Sequence, residues 1–215
     1  MPTFARKRNP PDGKPHGWYK DCLRLDFEFR CAYCLIHEKD FQGHESFQVD
    51  HFRPKSRFRE LERSYANLYY ACQLCNRQGR KGHAWPTPDE ESRGERFVDP
   101  CAEHWEDHVE FIEDGSVRPL TPAGEYSTRT IELDRIQLRL HRRKLPHEYS
   151  DRSRLHQVFH RLKRLSDFAD ARTDLPRGVA AELEALREQF LYLEKSVRAA
   201  WAGKKAAPPE PCCPY

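Results

Sequence analysis

Four polar residues within residues 47–76 carry the side chains that phosphodiester hydrolysis requires. His51 supplies an imidazole with an ordinary pKa of about 6.5, which suits a general base near neutral pH. Asp50 and Asn76 supply oxygen atoms, the ligand type that Mg²⁺ prefers, and Asn67 lies between them in the chain. One base and one hard cation are enough to activate water and to neutralise charge on the phosphorane. The stretch therefore predicts a metal-dependent nuclease site.

The adjacency of Asp50 and His51 sets a geometric condition on that site. Adjacent residues of a regular strand point to opposite faces of the sheet. Both side chains can therefore serve one site only if the strand twists or bends at its end. Pro54 follows closely and cannot continue a ladder, so we place the end of the strand at about Arg53.

Two Cys-x-x-Cys pairs bracket the same stretch, and their cysteines are Cys31, Cys34, Cys72 and Cys75. Two such turns present four sulfurs and complete a tetrahedral four-thiolate zinc site with no open position for water. The basic start of the chain has no apolar segment behind it, and no run of about eighteen apolar residues occurs. We therefore expect a cytoplasmic protein without a membrane span, where paired cysteines bind metal more often than they form disulfides. Accidental spacing is the alternative.

Basic residues are concentrated around the suspected site, although the net charge of the whole chain is only +3. Between residues 52 and 82, eight basic residues stand against two acidic ones. A local excess of positive charge attracts a polyanion. A solvated basic face without a partner is the alternative. We predict nucleic-acid contacts from Arg53, Lys55, Arg57, Arg59, Arg77, Arg80 and Lys81.

Hydrophobic patterns predict short elements around the site. One face of a predicted helix leads into the first cysteine pair and consists of Trp18, Cys22, Leu25 and Phe29. Alternation predicts strands over residues 47–53 and 67–72. Residues 74–80 are predicted to form a short helix that a glycine ends. The expected order is strand, loop, strand, helix.

The remainder of the chain predicts a loop, a hairpin and helices. Residues 82–100 are interpreted as a loop, and residues 109–120 as a β-hairpin around Asp114-Gly115. A helix carrying Ile136 and Leu140 follows Asp134. Two further helices, residues 155–165 and 179–201, form a predicted hairpin, and the second has a seam with a/d spacing that packs within the chain or against a partner chain. The predicted organisation is an α+β protein with a disordered basic arm (1–17), a nuclease domain with a hairpin extension (18–146), a helical C-terminal region (147–203) and a disordered tail (204–215).

Residues 31–82 resemble HNH endonucleases of the ββα-metal fold that have a four-cysteine zinc knuckle. The resemblance is carried by Val-Asp-His-Phe-Arg-Pro at 49–54, by the cysteine pairs, and by the two asparagines. It implies that His51 is the general base, that Asp50 and Asn76 ligate the catalytic metal, and that Asn67 holds the loop and the base by hydrogen bonds. An asparagine rather than a histidine at position 76 favours Mg²⁺ or Mn²⁺ over a catalytic zinc.

More loosely, the sequences CAYC, HFRPKS and NLYYACQLCN look like those of free-standing bacterial HNH nucleases of anti-phage defence, of the Septu and retron-associated types. This likeness implies DNA as substrate and an ATPase partner protein, with self-association through the C-terminal helices as a second possibility. The alternative function is a zinc-knuckle module that binds nucleic acid without catalysis, in which His51 is an ordinary structural residue.

Overall fold

The computed structural model describes residues 3–144 and, beyond them, the helical residues 157–158, 160–165, 167, 178–179, 181–182 and 184–192. The described residues belong to two compact units that divide between residues 143 and 144. The first unit combines short helices with two small antiparallel sheets, which confirms the predicted α+β class. Within the described part of the chain, no helix has the length and the apolar character needed to span a membrane.

The first sheet lies at the centre of the unit and consists of β1 (Phe47–His51) and β2 (Leu68–Cys72). The strands are antiparallel and begin and end with the pairs Phe47 with Cys72 and His51 with Leu68. Every residue of β2 is buried. The ring of Tyr69 packs against those of Phe27, Tyr33 and Phe52, and the ring of Tyr70 stacks on that of Phe47. The predicted strands are confirmed, and the sheet places His51 at one end and the second cysteine pair at the other.

A single helical turn, His16–Tyr19, leads into α1 (Lys20–Asp26), which is shorter than predicted. Glu28 and Phe29 both have left-handed φ angles, of 50° and 62°, which end the helix before the first cysteine pair. Trp18 is 43% exposed. The predicted apolar face was therefore wrong at both ends. Cys22 is buried as predicted, and the helix also buries Leu23 and Asp26.

Residues 3–15 pack on the body of the first unit, which corrects the expectation of a disordered arm for this part of the chain. The Phe4 ring is buried 5.0 Å from the ring of Phe27. Arg6 lies over the rings of Phe27, Tyr65 and Tyr69 at about 5 Å and donates a 2.6 Å hydrogen bond to the Leu68 carbonyl. Apolar periodicity does not detect such a segment, because cation–π contacts and single hydrogen bonds hold it in place.

The predicted helix over residues 74–80 was wrong, because the chain there forms consecutive turns. The backbone amide of Asn76 donates to the Cys72 carbonyl at 3.0 Å, as in a helical turn. The backbone amide of Lys81, however, donates to the carbonyl of Cys75, six residues earlier, at 3.2 Å. Gly79 has a φ of +87°, a conformation that interrupts a right-handed helix. A side chain at Gly82 would lie 2.9 Å from the Arg77 carbonyl oxygen, so the turn closes tightly on itself.

The second sheet is the predicted hairpin, formed by β3 (Val109–Phe111) and β4 (Val117–Pro119). Three helices occur around it: α2 (Pro88–Ser92), α3 (Pro122–Ile131) and α4 (Ile136–Lys144). The first two were not predicted. The last follows Asp134 as expected but buries Leu138 and Arg142 rather than Ile136 and Leu140.

The second unit is described only in part. Residues 160–165 and 184–192 are helical, in agreement with two of the predicted helices. The connection between them, the end of the predicted seam and the predicted tail over residues 204–215 lie outside the described residues. The domain boundaries at residues 146, 147 and 203 remain predictions.

Candidate active site and zinc centre

The four predicted zinc ligands come together in the fold. The sulfur atoms of Cys31, Cys34, Cys72 and Cys75 are buried and all lie within 4.8 Å of one another. The sulfurs of Cys34 and Cys72 are 3.8 Å apart. Four thiolates around zinc at about 2.3 Å would be separated by about 3.8 Å, so the cluster fits a structural zinc ion.

Local backbone geometry explains why the first cysteine pair forms a turn. The Leu35 amide donates to the Cys31 carbonyl at 3.0 Å, and Leu35 takes a left-handed φ of 61° that reverses the chain. The Ala32 amide donates to the Tyr70 carbonyl at 2.8 Å and joins this turn to β2, which carries Cys72. One guanidinium nitrogen of Arg135 lies 3.5 Å from the Cys75 sulfur. Sequence reasoning missed Arg135, whose charge offsets part of the negative charge of four thiolates.

His51 is half-buried at the end of β1, and its Nε2 lies 2.9 Å from the Glu62 carbonyl oxygen. Because a carbonyl oxygen only accepts hydrogen bonds, we assign the ring hydrogen to Nε2, which leaves the lone pair on Nδ1. Burial lowers the pKa of His51, as do His16 and Lys55, while the Glu62 carbonyl and Asp50 act in the opposite direction. The neutral imidazole is the form that a general base requires.

Asn67 is buried and closes the loop between the two strands of the first sheet. Its side-chain oxygen accepts from the Arg53 amide at 2.8 Å, and its side-chain nitrogen donates to the Arg53 carbonyl at 3.0 Å. The same nitrogen donates to the Leu61 carbonyl at 3.3 Å, one residue before the carbonyl that contacts the His51 imidazole. The sequence resemblance implies that Asn67 holds the loop and the base by hydrogen bonds, and these bonds hold the loop in that way.

Asp50 is only 3% exposed and lies on the buried side of β1. Its Oδ2 accepts a hydrogen bond from the Tyr33 hydroxyl and lies 3.5 Å from the Lys81 ammonium nitrogen. Burial, with Asp50 as the next cause, raises the pKa of Tyr33, so its hydroxyl remains a donor. Sequence reasoning did not identify Tyr33 as a partner of Asp50, since no local pattern links the two.

Asn76 is half-buried in the turn after Cys75. Its side-chain nitrogen donates to the Gln48 side-chain oxygen at 3.1 Å, so the side-chain oxygen is the atom of Asn76 that could bind a cation. A carboxylate and an amide oxygen are hard donors that suit Mg²⁺ or Mn²⁺. The donor types of Asp50 and Asn76 suit a divalent cation, but in this structure the Asp50 carboxylate faces the Tyr33 hydroxyl and the Lys81 ammonium in the interior.

Residues 31–82 match the family model described as HNH endonuclease. This segment is an HNH endonuclease domain. It contains both cysteine pairs, the first sheet, His51 and both asparagines, so the resemblance seen in the sequence is confirmed. The chain is also 27% identical over 153 residues to the Septu protein PtuB of Bacillus mycoides (strain KBAB4), a match that covers 59% of this chain and 50% of that protein. The chain thus spans about half the length of this curated relative.

The basic residues of the HNH domain divide into exposed and withdrawn groups. The prediction was wrong for Lys81, whose ammonium is fully buried. Arg80 is partly withdrawn, since it pairs with Glu132 and donates to the Leu74 carbonyl at 2.8 Å. Of the seven predicted contact residues, five are exposed, and we call these the exposed basic surface: Arg53, Lys55, Arg57, Arg59 and Arg77.

Proposed function

We propose that the protein is a metal-dependent endonuclease that hydrolyses DNA phosphodiester bonds, with His51 as general base. The observation that carries this proposal is the hydrogen bond from His51 Nε2 to the Glu62 carbonyl within an HNH domain. It fixes the ring and leaves Nδ1 as the basic atom. The exposed basic surface would bind the phosphates of the nucleic acid without reading its sequence.

Each residue near His51 has a distinct part in the proposed mechanism. Nδ1 of His51 removes the proton from the attacking water, and the Glu62 carbonyl stabilises the resulting imidazolium through the Nε2 hydrogen bond. Asn67 holds the loop that carries Glu62 and so keeps the base in one orientation. The negative charge of Asp50 also favours the protonated imidazole once the proton has been transferred.

Two metals belong to the proposal. The four cysteines would hold a structural zinc ion that ties the first turn to the end of β2. Asp50 and Asn76 would hold Mg²⁺ or Mn²⁺, with water and substrate phosphate completing the shell. Such a cation would stabilise the negative charge that develops on the phosphorane and on the leaving oxygen.

The direct test is cleavage of a supercoiled plasmid by purified protein in Mg²⁺ or Mn²⁺. We expect nicked or linear product with either ion and none when EDTA is added. The competing function is a zinc-knuckle module that binds nucleic acid without catalysis, and the engagement of Asp50 by Tyr33 and Lys81 favours it. A folded, zinc-loaded protein that retards the plasmid but leaves it intact with both ions would establish that alternative.

We propose a bacterial cytoplasmic setting in anti-phage defence, supported by the likeness to Septu-type nucleases and by the match to a Septu protein. The expected partner is an ATPase, or a second copy of the chain, bound through the C-terminal helices. Several apolar side chains of the helical residues 178–179 and 184–192 are exposed and suit such a contact: Val179, Leu186, Leu191 and Tyr192. Affinity purification from the native host, with light scattering of the purified chain, distinguishes the two partners.

The exposed basic surface is expected to act on phosphates rather than on bases, because Arg57 and Arg59 lie in a loop without groove-reading geometry. Replacing both with alanine should reduce the slope of log K against log salt by about one to two. The positions of the cuts should not change. Filter binding across a salt series and mapping of the cut sites measure the two effects.

The matched control replaces two arginines elsewhere on the surface, Arg118 and Arg129, whose side chains are 62% and 59% exposed. That double variant should keep the salt slope of the unmodified protein. A changed cleavage pattern in the Arg57 and Arg59 variant would argue for base readout and against this interpretation.

A further inference from the structure

The turn after the second cysteine pair places Lys81 in the interior of the HNH domain. The Lys81 amide donates to the Cys75 carbonyl at 3.2 Å, so the zinc centre anchors this residue. Its side chain has no exposed surface. Aromatic rings surround the ammonium, with ring centroids of Phe97, Phe52 and Tyr33 at 5.0, 5.5 and 5.7 Å. A phosphate of a bound nucleic acid has no access to this group.

The polar partners of the Lys81 ammonium are three consecutive residues at the end of β1. The nitrogen lies 2.7 Å from the Phe52 carbonyl oxygen, 3.2 Å from the His51 carbonyl oxygen and 3.5 Å from Oδ2 of Asp50. An ammonium has three hydrogens to donate, and three partners are present. One cation therefore fixes the strand at the residue before the base, at the base and at the residue after it.

The hydrogen bonds of Lys81 fix the directions in which the Asp50 and His51 side chains leave β1. Asp50 points into the core, while the His51 imidazole is half-exposed and reaches the Glu62 carbonyl. The direction of the imidazole depends on the backbone at residues 51 and 52, whose carbonyl groups both accept from Lys81. Without the ammonium, the buried Phe52 carbonyl, the partly buried His51 carbonyl and the buried Asp50 carboxylate would each lose a partner, and we expect the strand end to shift to recover hydrogen bonds.

We propose that Lys81 is a positioning residue for the nuclease reaction, which holds the Asp50 carboxylate and the His51 backbone in register and does not contact the substrate. This role rests on the proposed nuclease function. Lys81 was predicted from the sequence to bind nucleic acid. In this role it instead determines the position of the general base, His51. Removal of the ammonium should therefore change kcat and leave substrate affinity unaltered.

The test compares Lys81→Met and Lys81→Arg with the surface variant Lys39→Met, since Lys39 is exposed and outside the site. Zinc content and circular dichroism report on folding, and binding of a fluorescein-labelled duplex without added Mg²⁺ or Mn²⁺ reports on affinity without turnover, because no chelator is present to remove the structural zinc. We expect Lys81→Met to lower kcat at least about tenfold, because misplacement of catalytic groups by about 1 Å costs up to about a hundredfold. Duplex affinity and KM should stay within about twofold of the unmodified values. Lys81→Arg should give an intermediate kcat, because it keeps the charge and the donors.

Three results would overturn this role. They are an unmodified kcat in folded Lys81→Met, duplex binding without added Mg²⁺ or Mn²⁺ that is weakened as much as in Arg57→Ala, and an equal loss of kcat in Lys39→Met. If Lys81→Met does not load zinc, Lys81→Arg decides alone: reduced kcat with unchanged duplex affinity supports the role, and unmodified kcat or weaker binding refutes it. An unmodified protein that cuts no plasmid refutes the nuclease proposal itself and this role with it, whereas failure of the Lys81 comparison in an active enzyme refutes only the role.

Discussion

Replacing His51 with alanine is expected to lower the rate of plasmid cleavage by at least about two orders of magnitude, which is the usual contribution of a general base. The imidazole is half-exposed at the end of β1. It forms a hydrogen bond with the carbonyl of Glu62, which lies in the loop between β1 and β2. Its removal should therefore leave the sheet and the zinc centre intact. The measurements are initial cleavage rates in Mg²⁺, circular dichroism and zinc content.

The matched control is His44→Ala, which removes an exposed histidine from the segment just before β1. This variant should cleave at the unmodified rate. Retained cleavage in a folded His51→Ala variant would contradict the assignment of the base, and equal losses in both variants would point to a general effect of histidine removal on the fold.

Replacing Cys72 with serine is expected to release zinc and to abolish cooperative unfolding of the HNH domain. Structural zinc contributes about 10–16 kcal/mol of apparent binding free energy in zinc-finger peptides, and that free energy is coupled to folding. Cys72 is buried, lies within the sulfur cluster and is also the last residue of β2. Loss of this ligand thus disturbs both the metal site and the central sheet. Elemental analysis and thermal unfolding measure the effect.

Two controls separate zinc from the catalytic cation. Cys101→Ser changes a cysteine outside the cluster and should retain zinc. Asn76→Ala should also retain zinc while raising the Mg²⁺ concentration needed for cleavage, because only the proposed catalytic site loses a donor. Unmodified protein purified without zinc would overturn this part of the proposal.

Features with a local cause in the sequence were predictable. Alternation identified both strands of the first sheet, cysteine spacing identified the zinc cluster, and the Asp-Gly step identified the second hairpin. α2 also had a local signal, since Thr87 and Glu90 form a capping box. This signal lay in a proline-containing stretch that was interpreted as a loop.

Features that depend on distant parts of the chain were not predictable in the same way. Nothing in a run of arginines and lysines indicates that Lys81 is buried while Arg77, four residues earlier, is exposed. The difference arises from the turn that returns to the Cys75 carbonyl and from the aromatic rings that come from three separate segments. Tyr33 and Lys81, the partners of Asp50, were not predicted either, because both are distant from it in the sequence.

The hydrogen bonds of the Asn67 side chain determine which part of the loop in this HNH domain can vary in sequence. Asn67 binds both backbone groups of Arg53 and the carbonyl of Leu61, so the loop is fixed where it begins and where it approaches the base. Residues 55–60 between these points are mainly exposed and make few hydrogen bonds to the rest of the domain. Under the proposed function, substitutions there would change the affinity for nucleic acid without moving His51. Affinity for the substrate and the position of the base could thus evolve separately within a single short loop.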